Sequence, residues 1–93
     1  MHYVYVLTCA DDTLYTGYTT DVERRVREHN DGDGARYTSG RRPVELKHVE
    51  RFDDRGEALS REHEIKSMTR AEKATLITGD SGMENGELGQ DRP

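Results

Sequence analysis

The segment from Met1 to Cys9 is built around Tyr3, Val4, Tyr5, Val6 and Leu7, β-favouring residues that predict a strand. Ala10-Asp11-Asp12-Thr13 has turn chemistry, and Leu14 to Tyr18 resumes as a second short strand, so the pair predicts a hairpin. Thr20-Asp21-Val22-Glu23 has capping-box spacing, and a helix follows to about His29. The run from Asn30 to Arg42, with Gly32, Gly34 and Gly40, predicts a loop closed by Pro43. Val44 to Phe52 has apolar residues at 44, 46, 49 and 52, an imperfect alternation that predicts a third strand. Asp54-Arg55-Gly56-Glu57 opens a second helix to about Met68. Thr69-Arg70-Ala71-Glu72 repeats the capping box and starts a last helix to Ile77, stopped by Gly79. The order is ββαβαα, and the compact solution is α+β, a three-stranded sheet with helices packed on it.

Composition bounds this picture. Ninety-three residues make one domain, with 31% hydrophobic positions, 35% charged positions and no tryptophan, so the core is thin. The net charge of −5 argues against a generally basic nucleic-acid binder. That charge is unevenly spread. Residues 79–93 hold four acids, one base and four glycines, which predicts a disordered acidic tail after a domain of residues 1–78. Between Tyr15 and Arg51 there are eight bases and seven acids, so the middle of the chain is not acidic. Eleven arginines against three lysines, under an acidic total, suggest a halophilic host in which surface acids maintain solubility. The single cysteine, Cys9, excludes an internal disulfide framework. No apolar run is long enough to span a membrane and no signal segment opens the chain, so a cytoplasmic location is expected.

Candidate chemistry comes from polar residues on faces the pattern reserves for the core. Ala58, Glu62 and Ile65 recur at i, i+4 and i+7, which puts Glu62 on an apolar stripe. A carboxylate there is either a rim residue paired to an arginine or a metal ligand. Val22, Arg25, Val26 and His29 share one side of the first helix, with Arg25 and His29 one above the other. Arg24 and Arg27 point elsewhere, as surface charges or phosphate contacts. Tyr3 and Tyr5 share one face of the first strand, and Tyr15 and Gly17 one face of the second. Gly17 weakens a strand interior and marks close approach of a backbone or ligand. Tyrosine, arginine, histidine and glutamate together suit phosphodiester hydrolysis. Arginine neutralises the phosphate, a carboxylate holds a divalent ion, and tyrosine or histidine moves the proton of the attacking water.

The chain resembles the GIY-YIG nuclease superfamily, most closely its small stand-alone single-domain branch. Tyr3-Val4-Tyr5 and Tyr15-Thr16-Gly17 match the two signature halves. Residues 21–30 resemble the branch's Arg-x-x-x-His helix, residues 57–66 its Glu-bearing helix, and Ala71 to Ile77 its closing helix. The resemblance implies that Tyr5 and Tyr15 are the signature tyrosines, one of them a general base. It implies that Arg25 contacts the scissile phosphate, that His29 occupies the position four residues later, and that Glu62 is the sole protein ligand of one Mg²⁺ or Mn²⁺. It also implies a nuclease acting on DNA in repair or recombination, as a monomer or weak homodimer. A non-catalytic nucleic-acid-binding module of the same fold is the alternative. Gly17, Arg24 and the loop residues Arg36, Arg41 and Arg42 are candidate nucleic-acid contacts, the loop arginines being otherwise ordinary solvated side chains. The sequence departs from the family at three places. Tyr3 and Val4 stand where Gly and Ile are named, Tyr18 stands where several nuclease relatives carry a lysine, and Ala71, Ala74 and Thr75 stand where larger relatives place an asparagine.

Overall fold

The structure is a computed structural model that describes residues 1–78; the expected acidic tail lies outside the described residues. Three strands, β1 (His2–Thr8), β2 (Leu14–Thr19) and β3 (Glu45–Phe52), form an antiparallel sheet in the order β2-β1-β3. Four helices accompany them: α1 (Val22–Asn30), α2 (Arg36–Ser39), α3 (Arg55–Lys66) and α4 (Arg70–Thr78). The expected α+β sheet and its three longer helices are present. The loop between α1 and β3 differs from expectation, because it contains the one-turn helix α2.

The central strand explains the architecture. Val4, Tyr5, Val6 and Leu7 are each 1% exposed or less, so β1 is covered on both faces. Successive side chains of a strand point to opposite faces, and the packing follows that rule. Val4 and Val6 form a cluster with Ala58 and Ile65 of α3, flanked by Phe52, Met68, Leu76 and Ile77. Leu7 joins Cys9 and Val44 on the other side, against Tyr15 and Val26. Burial of Val4, Val6 and Ile65 contributes about 1.5–3 kcal/mol for each side chain.

The imperfect alternation of β3 has a geometric cause. Val6 pairs with His48 and Leu7 with Leu46, so Lys47 is an extra residue in a β-bulge. The bulge resets the phase, placing Leu46 and Val49 opposite Leu7 and Tyr5. His48 and Glu50 then face the same way as Val6 and Val4, toward α3. There Arg61 grips Glu50 through Nε to Oε1 at 2.8 Å and Nη2 to Oε2 at 3.0 Å. His48 Nε2 lies 2.8 Å from the same carboxylate.

Helix ends follow local chemistry. Asp21 caps α1 by accepting from Arg24 N–H, one residue later than the Thr20 cap read from the sequence. Asp54 caps α3 in the same way through Glu57 N–H. The box at α4 is reciprocal, with Thr69 N–H donating to Glu72 Oε1 at 2.8 Å and Glu72 N–H to Thr69 Oγ1 at 3.1 Å. The hairpin turn passes through Asp12 at φ 68°, a left-handed conformation that aspartate tolerates. Asn30 fastens the long loop to the end of α1, accepting from Val44 N–H at 2.7 Å and donating to Val44 O at 3.3 Å.

Candidate active site

The β1–β2 register puts Tyr5 opposite Gly17 and Leu7 opposite Tyr15, so both tyrosines occupy the face that α1 covers. Tyr5 crosses directly over Gly17: a Cβ there would lie 2.5 Å from the phenol oxygen. Gly17 was a candidate nucleic-acid contact, and the structure corrects this, because the glycine is buried and seats the Tyr5 ring. The close approach expected at this position is that of a protein side chain.

His29 comes from the last turn of α1 and is fully buried. Its Nε2 lies 2.8 Å from the Tyr5 hydroxyl, and its Nδ1 lies 2.7 Å from Thr38 Oγ1 of α2. The Tyr15 ring meets the imidazole edge-on at 5.2 Å between centroids. Gly34 passes so close behind His29 that a Cβ would overlap Nδ1 and lie 2.8 Å from the His29 Cα. Glycines at 17 and 34 thus leave the room that the Tyr5–His29 pair occupies.

The electrostatics keep this pair neutral. Burial pushes the Tyr5 phenol up to about 12, opposed by the nearby Arg25 guanidinium and assisted by the charges of Tyr15 and Glu62. Burial likewise lowers the pKa of His29, and the charge of Arg25 lowers it further. Arg25 and Glu62 therefore both stand within electrostatic reach of Tyr5, although they come from different helices. Arg25 also pairs with Glu28 at 3.0 Å, and that bond raises its own pKa. Glu62 is largely buried and pairs with Lys66 one turn along at 3.2 Å, so its partner is a lysine rather than an arginine. Tyr5, Tyr15, Arg25, His29 and Glu62 are brought together by β1, β2, α1 and α3.

The other candidates are placed differently. Arg41 is held against the surface, bonded to Asp11 at 3.0 Å and to Tyr37 O at 2.7 Å, with its guanidinium 4.1 Å above the Tyr37 ring. Tyr37 in turn stacks against Tyr15 at 5.8 Å. Arg42 donates to Ser39 O at 2.9 Å and to Asn30 O at 3.4 Å, which holds the loop closed. Arg24 and Arg36 are exposed. Tyr18 pairs opposite Val4 on the reverse face and bonds His2 Nδ1 at 2.7 Å, so it has no part in the Tyr5–His29 cluster. Thr38 is the residue that sequence reasoning missed. A one-turn helix inside a glycine-rich loop leaves no periodic signal to find it.

Among the described residues, no cluster of three histidine, cysteine or acidic side chains could cage a metal. One carboxylate, Glu62, suits an ion that draws most of its shell from water and phosphate oxygens, as magnesium does. A depression of about 550 Å³ between α3 and α4, lined by Glu64, Met68, Glu72 and Leu76, lies apart from this chemistry.

Comparison with known proteins decides the family. The GIY-YIG catalytic domain model matches residues 1–75. The chain belongs to the GIY-YIG family. It is similar to a UPF0213 protein of Natronomonas pharaonis, 65% identical over 87% of this chain and 95% of the relative. A UPF0213 protein of Halobacterium salinarum is 62% identical over 83% of this chain and 100% of the relative. The likeness extends to Staphylococcus saprophyticus, whose UPF0213 protein is 52% identical over 83% of this chain and 94% of its own length. Among solved structures, the solution structure of a UPF0213 protein from Bacillus halodurans is 45% identical, with a TM-score of 0.57, covering 88% of this chain and 87% of that one. A protein from E. faecalis is 43% identical at the same TM-score, covering 90% and 94%. The GIY-YIG membership inferred from the tyrosine triplets and the three helix segments that follow them is therefore shown, and halophilic archaea are among the sources of similar chains. No helix among the described residues is long and apolar enough to cross a membrane.

Proposed function

We propose that this GIY-YIG domain is a divalent-metal-dependent endonuclease that hydrolyses phosphodiester bonds in DNA. The observation that carries the reading is the 2.8 Å bond between the Tyr5 hydroxyl and the buried His29 Nε2, with Arg25 and Glu62 acting on the same phenol. A phenol with a pKa of about 12 does not ionise at neutral pH, so it works as a base only if its proton leaves as another arrives. His29 is the acceptor in place. The attacking water gives a proton to Tyr5 Oη while the Tyr5 proton passes to His29 Nε2. The water oxygen bonds to phosphorus, the ester P–O bond breaks, and the departing alkoxide is protonated from solvent. Arg25 offsets the charge that grows on the phosphate oxygens. Tyr15, held edge-on to His29, completes the wall around the reacting groups. Glu62 would hold Mg²⁺ or Mn²⁺, which when bound supplies Lewis-acid stabilisation of the phosphate.

A basic surface continues from this cluster. Tyr37, stacked on Tyr15, borders a cavity of about 190 Å³ that Arg70 and Lys73 also line. Together with the exposed Arg24 and Arg36, these cations suit contacts to the DNA backbone, and binding is then salt-sensitive. Cleavage of branched DNA would serve repair or recombination.

The test is cleavage of fluorescent duplex, branched and single-stranded DNA in Mn²⁺, with Glu62→Ala beside the wild-type protein. Wild-type cleavage that Glu62→Ala abolishes supports the nuclease. Identical behaviour of the two proteins rejects it. The pairing of Arg25 with Glu28 and of Glu62 with Lys66 favours one second reading, a domain that binds DNA without cutting it. Binding without cleavage would assign that role.

A further inference from the structure

Thr38 is fully buried, and its hydroxyl is shared between two neighbours. Oγ1 lies 2.7 Å from His29 Nδ1 and 2.9 Å from the carbonyl oxygen of Ala35. A carbonyl oxygen only accepts, so the hydroxyl proton points to Ala35 and an oxygen lone pair faces the imidazole. The facing Nδ1 must then carry the histidine proton. The Ala35 N–H also points at Nδ1, in a long bond of 3.4 Å that would favour a bare Nδ1, and the much shorter Thr38 contact outweighs it.

With Nδ1 protonated, Nε2 is the bare ring nitrogen, so it accepts the Tyr5 proton across their 2.8 Å contact. We propose that Thr38 is a positioning residue that locks His29 in its Nδ1–H tautomer. The resulting bonds all run one way: Tyr5 O–H to His29 Nε2, His29 Nδ1–H to Thr38 Oγ1, and Thr38 O–H to the Ala35 carbonyl. Without Thr38 the imidazole is free to carry its proton on Nε2, where it faces Tyr5 as a donor and cannot receive the Tyr5 proton.

The tautomer follows from hydrogen-bond geometry alone, whereas its catalytic consequence rests on the nuclease reading. When Nε2 gains the Tyr5 proton, the bond from Nδ1–H to Thr38 becomes charge-assisted and strengthens. Thr38 thus favours the state in which the base has done its work.

Two measurements separate these levels. Imidazole ¹⁵N NMR of the wild-type protein reads the tautomer directly and should show Nδ1 protonated. In Thr38→Val, which keeps the shape and removes the acceptor, the proton should shift to Nε2. Cleavage kcat in Mn²⁺ should fall at least 10-fold with the KM for DNA unchanged, and Thr38→Ser should restore both properties. A wild-type Nε2–H tautomer overturns the proposal, even if Thr38→Val does not fold. A folded Thr38→Val that keeps its proton on Nδ1 overturns it equally. An Nδ1–H tautomer in a protein that cuts no DNA supports the role of Thr38 and rejects the nuclease instead.

Discussion

Tyr5 lies directly across the β1–β2 pair from Gly17, and its phenol occupies the space that any larger residue at 17 would need. Gly17→Ala is expected to push the ring off His29, because the phenol is bonded at its tip and buried around its body. Overpacking of this kind costs about 1–3 kcal/mol. Urea unfolding checks the loss of stability, and the His29 imidazole shifts report the broken bond. An alanine variant as stable as the wild-type protein, with unchanged His29 resonances, would refute the account of Gly17.

The same pair sets a window of pH. His29 has a folded pKa below its ordinary 6.5, so the unfolded chain takes up a proton first as the solution is acidified. The stability this group contributes is complete above about pH 6.5 and is lost as pH falls toward the lowered folded value. Tyr5 acts at the opposite end. Its pKa rises from 10.0 to about 12 on folding, so its contribution is complete below pH 10 and is lost as pH rises through 12. Unfolding free energies measured across this range, with an NMR titration of His29, check both limits. A His29 pKa at or above 6.5 would contradict the burial argument.

Glu50 and Arg61 join β3 to α3 through two hydrogen bonds at 2.8 and 3.0 Å. Arg61 holds the Glu50 carboxyl below its usual 4.5, so this stability is present above pH 4.5 and is lost as pH falls through the lowered value. Removing the charge with Glu50→Gln should cost about 1.5–3 kcal/mol, the range for hydrogen bonds to charged groups. Thermal unfolding at pH 7 and pH 3 gives the test. The difference between wild type and variant should shrink at the lower pH.

Thr16 carries the one buried side-chain oxygen among the described residues that lacks a hydrogen-bond partner. It pairs opposite Val6, on the apolar face that α3 covers. Thr16→Val keeps the branched shape and removes the unpaired hydroxyl, and should stabilise the fold by about 1 kcal/mol. A lower melting temperature for the valine variant would show that this oxygen is satisfied after all.

The sequence revealed most where a residue type broke a periodic rule. Arg25 and His29 stood out on an apolar helix stripe, and Glu62 stood out between Ala58 and Ile65. All three lie near Tyr5 in space. Strand and helix positions followed from alternation and caps, with the α4 box visible as Thr69 and Glu72. What stayed hidden depended on contacts distant in sequence. Thr38 acts through His29, nine positions earlier in the chain, and nothing in its immediate neighbours marks it. The bonds of Arg41 and Arg42 were equally hidden, because their partners, Asp11 and the carbonyls of Tyr37, Ser39 and Asn30, are set only by the folded loop. The Asp21 cap displaced Thr20 by one position, since either side chain satisfies the local pattern and only backbone direction chooses between them.

The extra residue at Lys47 makes β3 serve two masters. Up to Leu46 and again at Val49 the strand serves the layer that contains Tyr5, while His48, Glu50 and Phe52 serve the layer built on α3. A strand of uniform pleat would have to give both segments the same parity. Gain or loss of one residue within β3 is therefore a change of allegiance, exchanging a charged network for an apolar wall.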